Sequence, residues 1–174
     1  MAPNPQPCII CGGSVARLWS IHSHVGDRYL RINPSYNITG GMKVDFGGVV
    51  NLENASTDVD ALVQFKDVSS GFPDFETRVI ITFYHDNSKY HLKAQGVNDE
   101  LLAISEAEAA NLTDKSDVFS PVRLNYEHHL FFIFESVKYR DYYLATNGAG
   151  KTKLVNTHSV AYRDSETLIK LIDP

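Results

Sequence analysis

From residue 15 onward the chain alternates short apolar stretches with turn residues, and within most stretches the apolar positions recur every second residue. Ala16-Arg17-Leu18-Trp19, Val63-Gln64-Phe65, Val79 to Phe83 and Tyr142 to Thr146 are rich in β-branched and aromatic side chains, which fit a pleated, half-buried surface. Strands are predicted near 16–21, 28–32, 49–52, 61–66, 78–84, 89–94, 101–105, 121–126, 130–135, 142–146, 153–156 and 167–172. Turn chemistry separates them: Gly26-Asp27, Asn33-Pro34, Gly40-Gly41, Gly47-Gly48, Ser69-Ser70-Gly71, Asp86-Asn87, Asn98-Asp99 and Asn147-Gly148. Glu100 to Leu112 is rich in helix formers, and a strand that runs into a short helical turn fits it better than a full helix.

The pattern repeats. Asp27-Arg28-Tyr29-Leu30, Ser88-Lys89-Tyr90-His91-Leu92 and Arg140-Asp141-Tyr142-Tyr143-Leu144 each place polar or charged residues before an aromatic and a leucine. Three loosely kept units of four strands predict an all-β fold with pseudo-threefold symmetry, the β-trefoil: a closed six-strand barrel capped by three hairpins. The division expected is a flexible tail over 1–14 and one β-trefoil domain over 15–174. In this fold the run Phe131-Phe132-Ile133-Phe134, together with Leu144, belongs to the core.

Composition narrows the function classes. No window approaches the roughly 18 consecutive apolar residues of a membrane span, and the start lacks the pattern of a cleaved secretory leader. The net charge of −5 comes without a basic block, which argues against nucleic acid as a partner. Cys8 and Cys11 form a lone CxxC in a Pro-rich tail, without the second ligand pair of a structural zinc site or the strand-to-helix context of a redox motif. Sequons at Asn37, Asn54 and Asn111 matter only in a chain that enters the secretory route. Histidines such as His22, His24, His128 and His129 show no ligand spacing. No nucleophile elbow or P-loop is present, so no metal, cofactor or catalytic residue is expected.

Phe134-Glu135-Ser136-Val137-Lys138-Tyr139 followed by Tyr142-Tyr143-Leu144-Ala145-Thr146 resembles the interleukin-1 family signature, in which F-E-S, an aromatic and an aromatic-aliphatic pair mark strands nine and ten. Arg17-Leu18-Trp19 and Tyr29-Leu30-Arg31 are similar to the family's opening strands, and the likeness runs over roughly 16–174. Ser20 departs from it, standing where many members carry an acidic residue. The resemblance implies a cytokine of inflammatory and immune signalling, without catalysis. It would leave the cell without a leader, from a cytoplasmic pool, and act as a monomer on immunoglobulin-like receptor ectodomains, with or without an accessory receptor chain.

A trefoil has no deep pocket by default, so binding falls to loops and the barrel rim. The loop from Lys66 to Thr77 is the longest informative one, and the resemblance implies that it touches receptor, as the corresponding bulged loop of that family does. It sets Phe72 and Phe75 around Pro73 among Lys66, Ser70, Asp74 and Glu76. A stiffened aromatic beside charges is the form of a binding anchor, and the alternative is that both rings fold under as a lid on the barrel. Arg17 and Ser20 on the first strand, with Lys93, Lys138, Arg140 and Lys151 near strand ends, complete the candidate receptor contacts. A carbohydrate-binding trefoil is the rival, weakened because its repeated Gln-x-Trp signature meets only one tryptophan, Trp19. A heparin-binding factor lacks its basic cluster, and a protease inhibitor or an actin-bundling trefoil stays open.

Overall fold

The computed structural model describes residues 15–20, 28–38, 41–46, 59–74, 76–126, 129–146, 150–156, 167 and 169–172. The predicted strand at 49–52 and the tail with Cys8 and Cys11 lie outside them.

The described residues form strands β1 (Val15–Ser20), β2 (Arg28–Tyr29), β3 (Arg31–Ile38), β4 (Gly41–Asp45), β5 (Val63–Asp67), β6 (Val79–His85), β7 (Ser88–Lys93) and β8 (Leu102–Ser105). After a single helical turn, α1 (Glu106–Ala109), come β9 (Val118–Tyr126), β10 (His129–Ser136), β11 (Tyr142–Thr146), β12 (Thr152–Asn156) and β13 (Ile169–Ile172). Only Leu30 separates β2 from β3, so these thirteen segments amount to twelve strands. The Glu100–Leu112 stretch resolves as expected into β8 and one helical turn, whose Ser105 hydroxyl accepts the Glu108 N–H as N-cap.

One sheet contains every strand, and it closes on itself. β1 pairs with β13, β13 with β10, β10 with β9, β9 with β6, β6 with β5 and β5 with β1, always antiparallel. Closure leaves these strands without a continuous open edge. Three further antiparallel pairs, β3/β4, β7/β8 and β11/β12, hang from the ring where β1 meets β2, β6 meets β7 and β10 meets β11. They meet one another as well: β4 pairs with β8, and Asp45 bridges to Lys151. Among the described residues no helix is long and apolar enough to cross a membrane.

Leu30, Leu92 and Leu144, the leucines of the sequence repeat, are all fully buried in one core cluster. Phe65 of β5 and Phe134 of β10 stack across that core, with ring centroids 6.0 Å apart and planes within 5°. Phe131, Phe132 and Phe134 are buried as expected, whereas Ile133 is only half-buried. Its cross-strand partner is Val122, itself 40% exposed. β4 is a second correction, because Gly40-Gly41 reads as a turn in the sequence. Gly41 instead opens a strand, where a Cβ would stand 2.8 Å from the Ala103 carbonyl oxygen, and glycine permits the close approach of β4 to β8. Asp86 and Asn87 do form the expected turn: both have left-handed φ, the two-residue hairpin geometry that joins β6 to β7.

Candidate functional site

The 68–78 segment between β5 and β6 is organised by Arg78, which is 3% exposed. Its Nη2 donates to Asp74 Oδ2 at 2.8 Å, and its Nη1 donates to Glu76 Oε2 at 3.1 Å, to the Thr77 carbonyl at 3.2 Å and to Ser120 Oγ of β9 at 3.2 Å. A guanidinium fork can satisfy several acceptors at once, which an ammonium could not do in a fixed plane. The segment is also closed at its neck: Val68 N–H donates to the Arg78 carbonyl at 2.9 Å, and Arg78 N–H donates to Ser69 Oγ at 2.9 Å. Hydrogen bonds from Ser69, hydroxyl first and amide second, hold the Asp67 carboxyl below its ordinary range.

Phe72 stands between two cations. The Arg78 guanidinium lies 5.2 Å from its ring centroid, and the Lys115 ammonium lies 4.1 Å away. The ring is half-buried, so it is neither a free anchor nor a sealed lid. Lys115 reaches it from a left-handed position (φ 58°) in a turn fastened by Ser116 N–H donating to Asp114 Oδ1 at 3.1 Å. The other Asp114 oxygen accepts from Lys138 Nζ at 2.7 Å. That bond, with Ser116 next in weight, pulls the Asp114 carboxyl far below the usual carboxylate range, and the same bond raises the Lys138 ammonium. Lys138 Nζ also lies 5.1 Å from the Tyr139 ring, whose hydroxyl donates to the Gln95 carbonyl at 3.2 Å.

Phe72, Asp74, Glu76 and Lys138 are therefore linked on one continuous surface through Arg78, Lys115 and Asp114. Three cations face three carboxylates around one aromatic ring. That balance suits a protein surface better than a bare anion site. Lys66 and Ser70 are exposed at the margin of the same segment, and Arg140 is exposed beyond Tyr139. Other candidates lie apart. Arg17 is 3% exposed, which withdraws its side chain from surface contact. Lys93 is half-buried on β7, and Lys151 sits 3.8 Å from Glu100 at the junction of the hairpins. Phe75 and the side chain of Ser20 lie outside the described residues.

Sequence reasoning missed Arg78, Lys115 and Asp114. The signals were faint: an arginine directly before an apolar run, and an Asp-Lys-Ser turn. It also saw no histidine with a carboxylate partner at ligand spacing. The fold supplies two, His85 Nδ1 at 2.9 Å from Asp60 Oδ1 and the buried His91 Nδ1 at 3.0 Å from Asp117 Oδ2, each some two dozen residues away in the chain. Among the described residues no group of three or more histidine, cysteine or acidic side chains could hold a metal. No protein-family model matches the chain, and no curated protein does.

Proposed function

We propose that the chain is a β-trefoil cytokine of the interleukin-1 type, which acts outside the cell by binding an immunoglobulin-like receptor ectodomain and carries out no catalysis. The observation that carries this reading is what the resembling motif does in the fold. Phe134 fills the core against Phe65, Glu135 Oε2 accepts the Asp141 N–H at 2.9 Å, and Ser136 Oγ accepts the Tyr139 N–H at 3.1 Å. Phe134 thus anchors the end of β10 in the core, and Glu135 and Ser136 build the β10–β11 connection, where Asp141 takes a left-handed φ of 68°. A motif under that much local demand is a better guide to kinship than a run of core residues. The six-strand ring with three hairpins supports the trefoil, since four strands from each repeat are what that architecture needs.

In this reading the surface around Phe72 meets the receptor. A half-buried ring already fixed by two cations loses little freedom on binding, which favours it as an anchor. The test is binding of the purified chain to a panel of interleukin-1-family receptor ectodomains, alone and with accessory chains. Tight binding to one receptor is expected, and recruitment or exclusion of the accessory chain then separates agonist from antagonist. A folded protein that binds no member of the panel, and instead binds on a glycan array, would replace the cytokine with a carbohydrate-binding trefoil.

A further inference from the structure

Of the three cations around Phe72, two are paired with carboxylates of this chain: Arg78 with Asp74 and Glu76, and Lys138 with Asp114. Lys115 is the exception. It is exposed, its ammonium stands 4.1 Å from the ring centroid, and among the described residues no carboxylate lies within salt-bridge reach of it. An ammonium carries three N–H donors, and those that the ring does not engage depend on water.

The turn beneath that side chain is pinned on both sides. Ala94 N–H donates to the Ser116 carbonyl at 2.9 Å, Val118 N–H donates to the Lys115 carbonyl at 3.1 Å, and the buried Asp117 carboxylate meets Nδ1 of the buried His91 at 3.0 Å. Lys115 itself holds a left-handed φ of 58°, a conformation that glycine or asparagine takes at lower cost. The turn therefore gains nothing from lysine here, and a residue standing at a backbone cost points to a use for its side chain.

We propose that the partner which covers Phe72 presents a carboxylate, from an aspartate or a glutamate, to the Lys115 ammonium. The inference rests on the receptor reading of this surface. A partner that packs on the exposed part of the ring removes water from Lys115, and a cation stripped of water without an anion beside it is costly. Arg78 and Lys138 raise no such demand, because their carboxylates already lie at 2.8 and 3.1 Å and at 2.7 Å. The surroundings fit a single acidic side chain: Asp74, Glu76 and Asp114 disfavour a polyanion, whereas one carboxylate beside an apolar contact answers one unpaired cation.

Surface plasmon resonance of the full chain on the receptor ectodomain that binds it, at about 0.15 M salt, tests this with four variants. Lys115→Arg keeps the charge and should stay within about threefold of the parent. Lys115→Asn suits the left-handed turn, so it should weaken binding by about fivefold or more with no loss of thermal stability. Lys115→Glu should bind at least about tenfold more weakly than Lys115→Asn, because like charges then meet across the contact. Parent-like affinity of Lys115→Asn, or a folded Lys115→Glu that binds no worse than it, overturns the proposal, while a weakened Phe72→Ala leaves the receptor surface standing. A Phe72→Ala variant that binds like the parent overturns the surface and the proposal together. A folded parent chain that binds no ectodomain overturns the cytokine reading and the proposal with it.

Discussion

The Thr152 hydroxyl donates to the carbonyl oxygen of Val44 at 2.9 Å across 108 residues of chain, and it accepts the Leu101 N–H at 3.2 Å. One fully buried hydroxyl thus joins β12, β4 and the approach to β8, the place where the three hairpins converge. Thr152→Val keeps the shape and deletes the hydroxyl, which strands a buried carbonyl and a buried N–H. A loss of about 2–6 kcal/mol is expected in urea unfolding, from roughly 1–3 kcal/mol for each of the two unsatisfied groups. Thr152→Ser keeps both bonds and should cost no more than about 1 kcal/mol for the lost methyl.

Leu30, Leu92 and Leu144 hold equivalent places in the three repeats, and all are fully buried. Their replacement by alanine should cost about 2–5 kcal/mol each, and the three values should lie close together if the repeats are equivalent in packing. Thermal or urea unfolding of the three single variants checks this. A leucine that tolerates alanine would mark a repeat whose symmetry is only sequence-deep.

That repeat was legible because a fully buried leucine leaves the same trace each time: polar residues, an aromatic, then the leucine. Most strands were legible for a related reason, since a ring strand alternates between core and solvent. What failed to show depends on contacts made across the chain. β4 hides behind Gly40-Gly41 because its glycine answers to Ala103, sixty residues on. Arg78 looks like any charged residue before a strand, and only Asp74, Glu76 and Ser120 together make it a hub. The pairing of Lys138 with Asp114 likewise exists only once β9 and β10 are laid side by side.

Arg78→Met should free the 68–77 segment. Its carboxylate partners Asp74 and Glu76 are exposed and can be rehydrated, so the expected loss of stability is moderate, about 1–3 kcal/mol. The sharper readout is limited proteolysis, with cleavage at Phe72 appearing well below the midpoint of unfolding. Arg78→Lys should restore little, because an ammonium cannot hold Asp74, Glu76 and Ser120 together. Resistance of the methionine variant to cleavage would mean that the segment is held by its neck alone.

Acid should loosen the tie between Asp114 and Lys138. The folded Asp114 carboxyl titrates far below its unfolded value of about 3.9, so its contribution is complete above that pH and declines as the pH falls below it. Lys138 is raised by the same bond, so at the other extreme the contribution declines as the pH climbs beyond about 10.4. Both side chains are a third or more exposed, which limits the pair to about 1 kcal/mol or less. Asp114→Asn should therefore be up to that much less stable than the parent at pH 7, by urea unfolding, and the gap should narrow below about pH 4 and in high salt.

Phe72→Ala separates recognition from folding. The ring is only half-buried, so its loss should cost about 1 kcal/mol or less of stability. If the Phe72 surface meets the receptor, affinity should fall by about tenfold or more, because a rigid aromatic anchor concentrates binding energy. Lys115→Ala removes the closer of its two cations and leaves the ring in place, so its effect on affinity should be smaller than that of Phe72→Ala. Surface plasmon resonance on the receptor that binds the parent chain measures both. Unchanged affinity in the Phe72 variant would move the contact surface elsewhere on the barrel, with Arg140 and Lys151 the next residues to substitute.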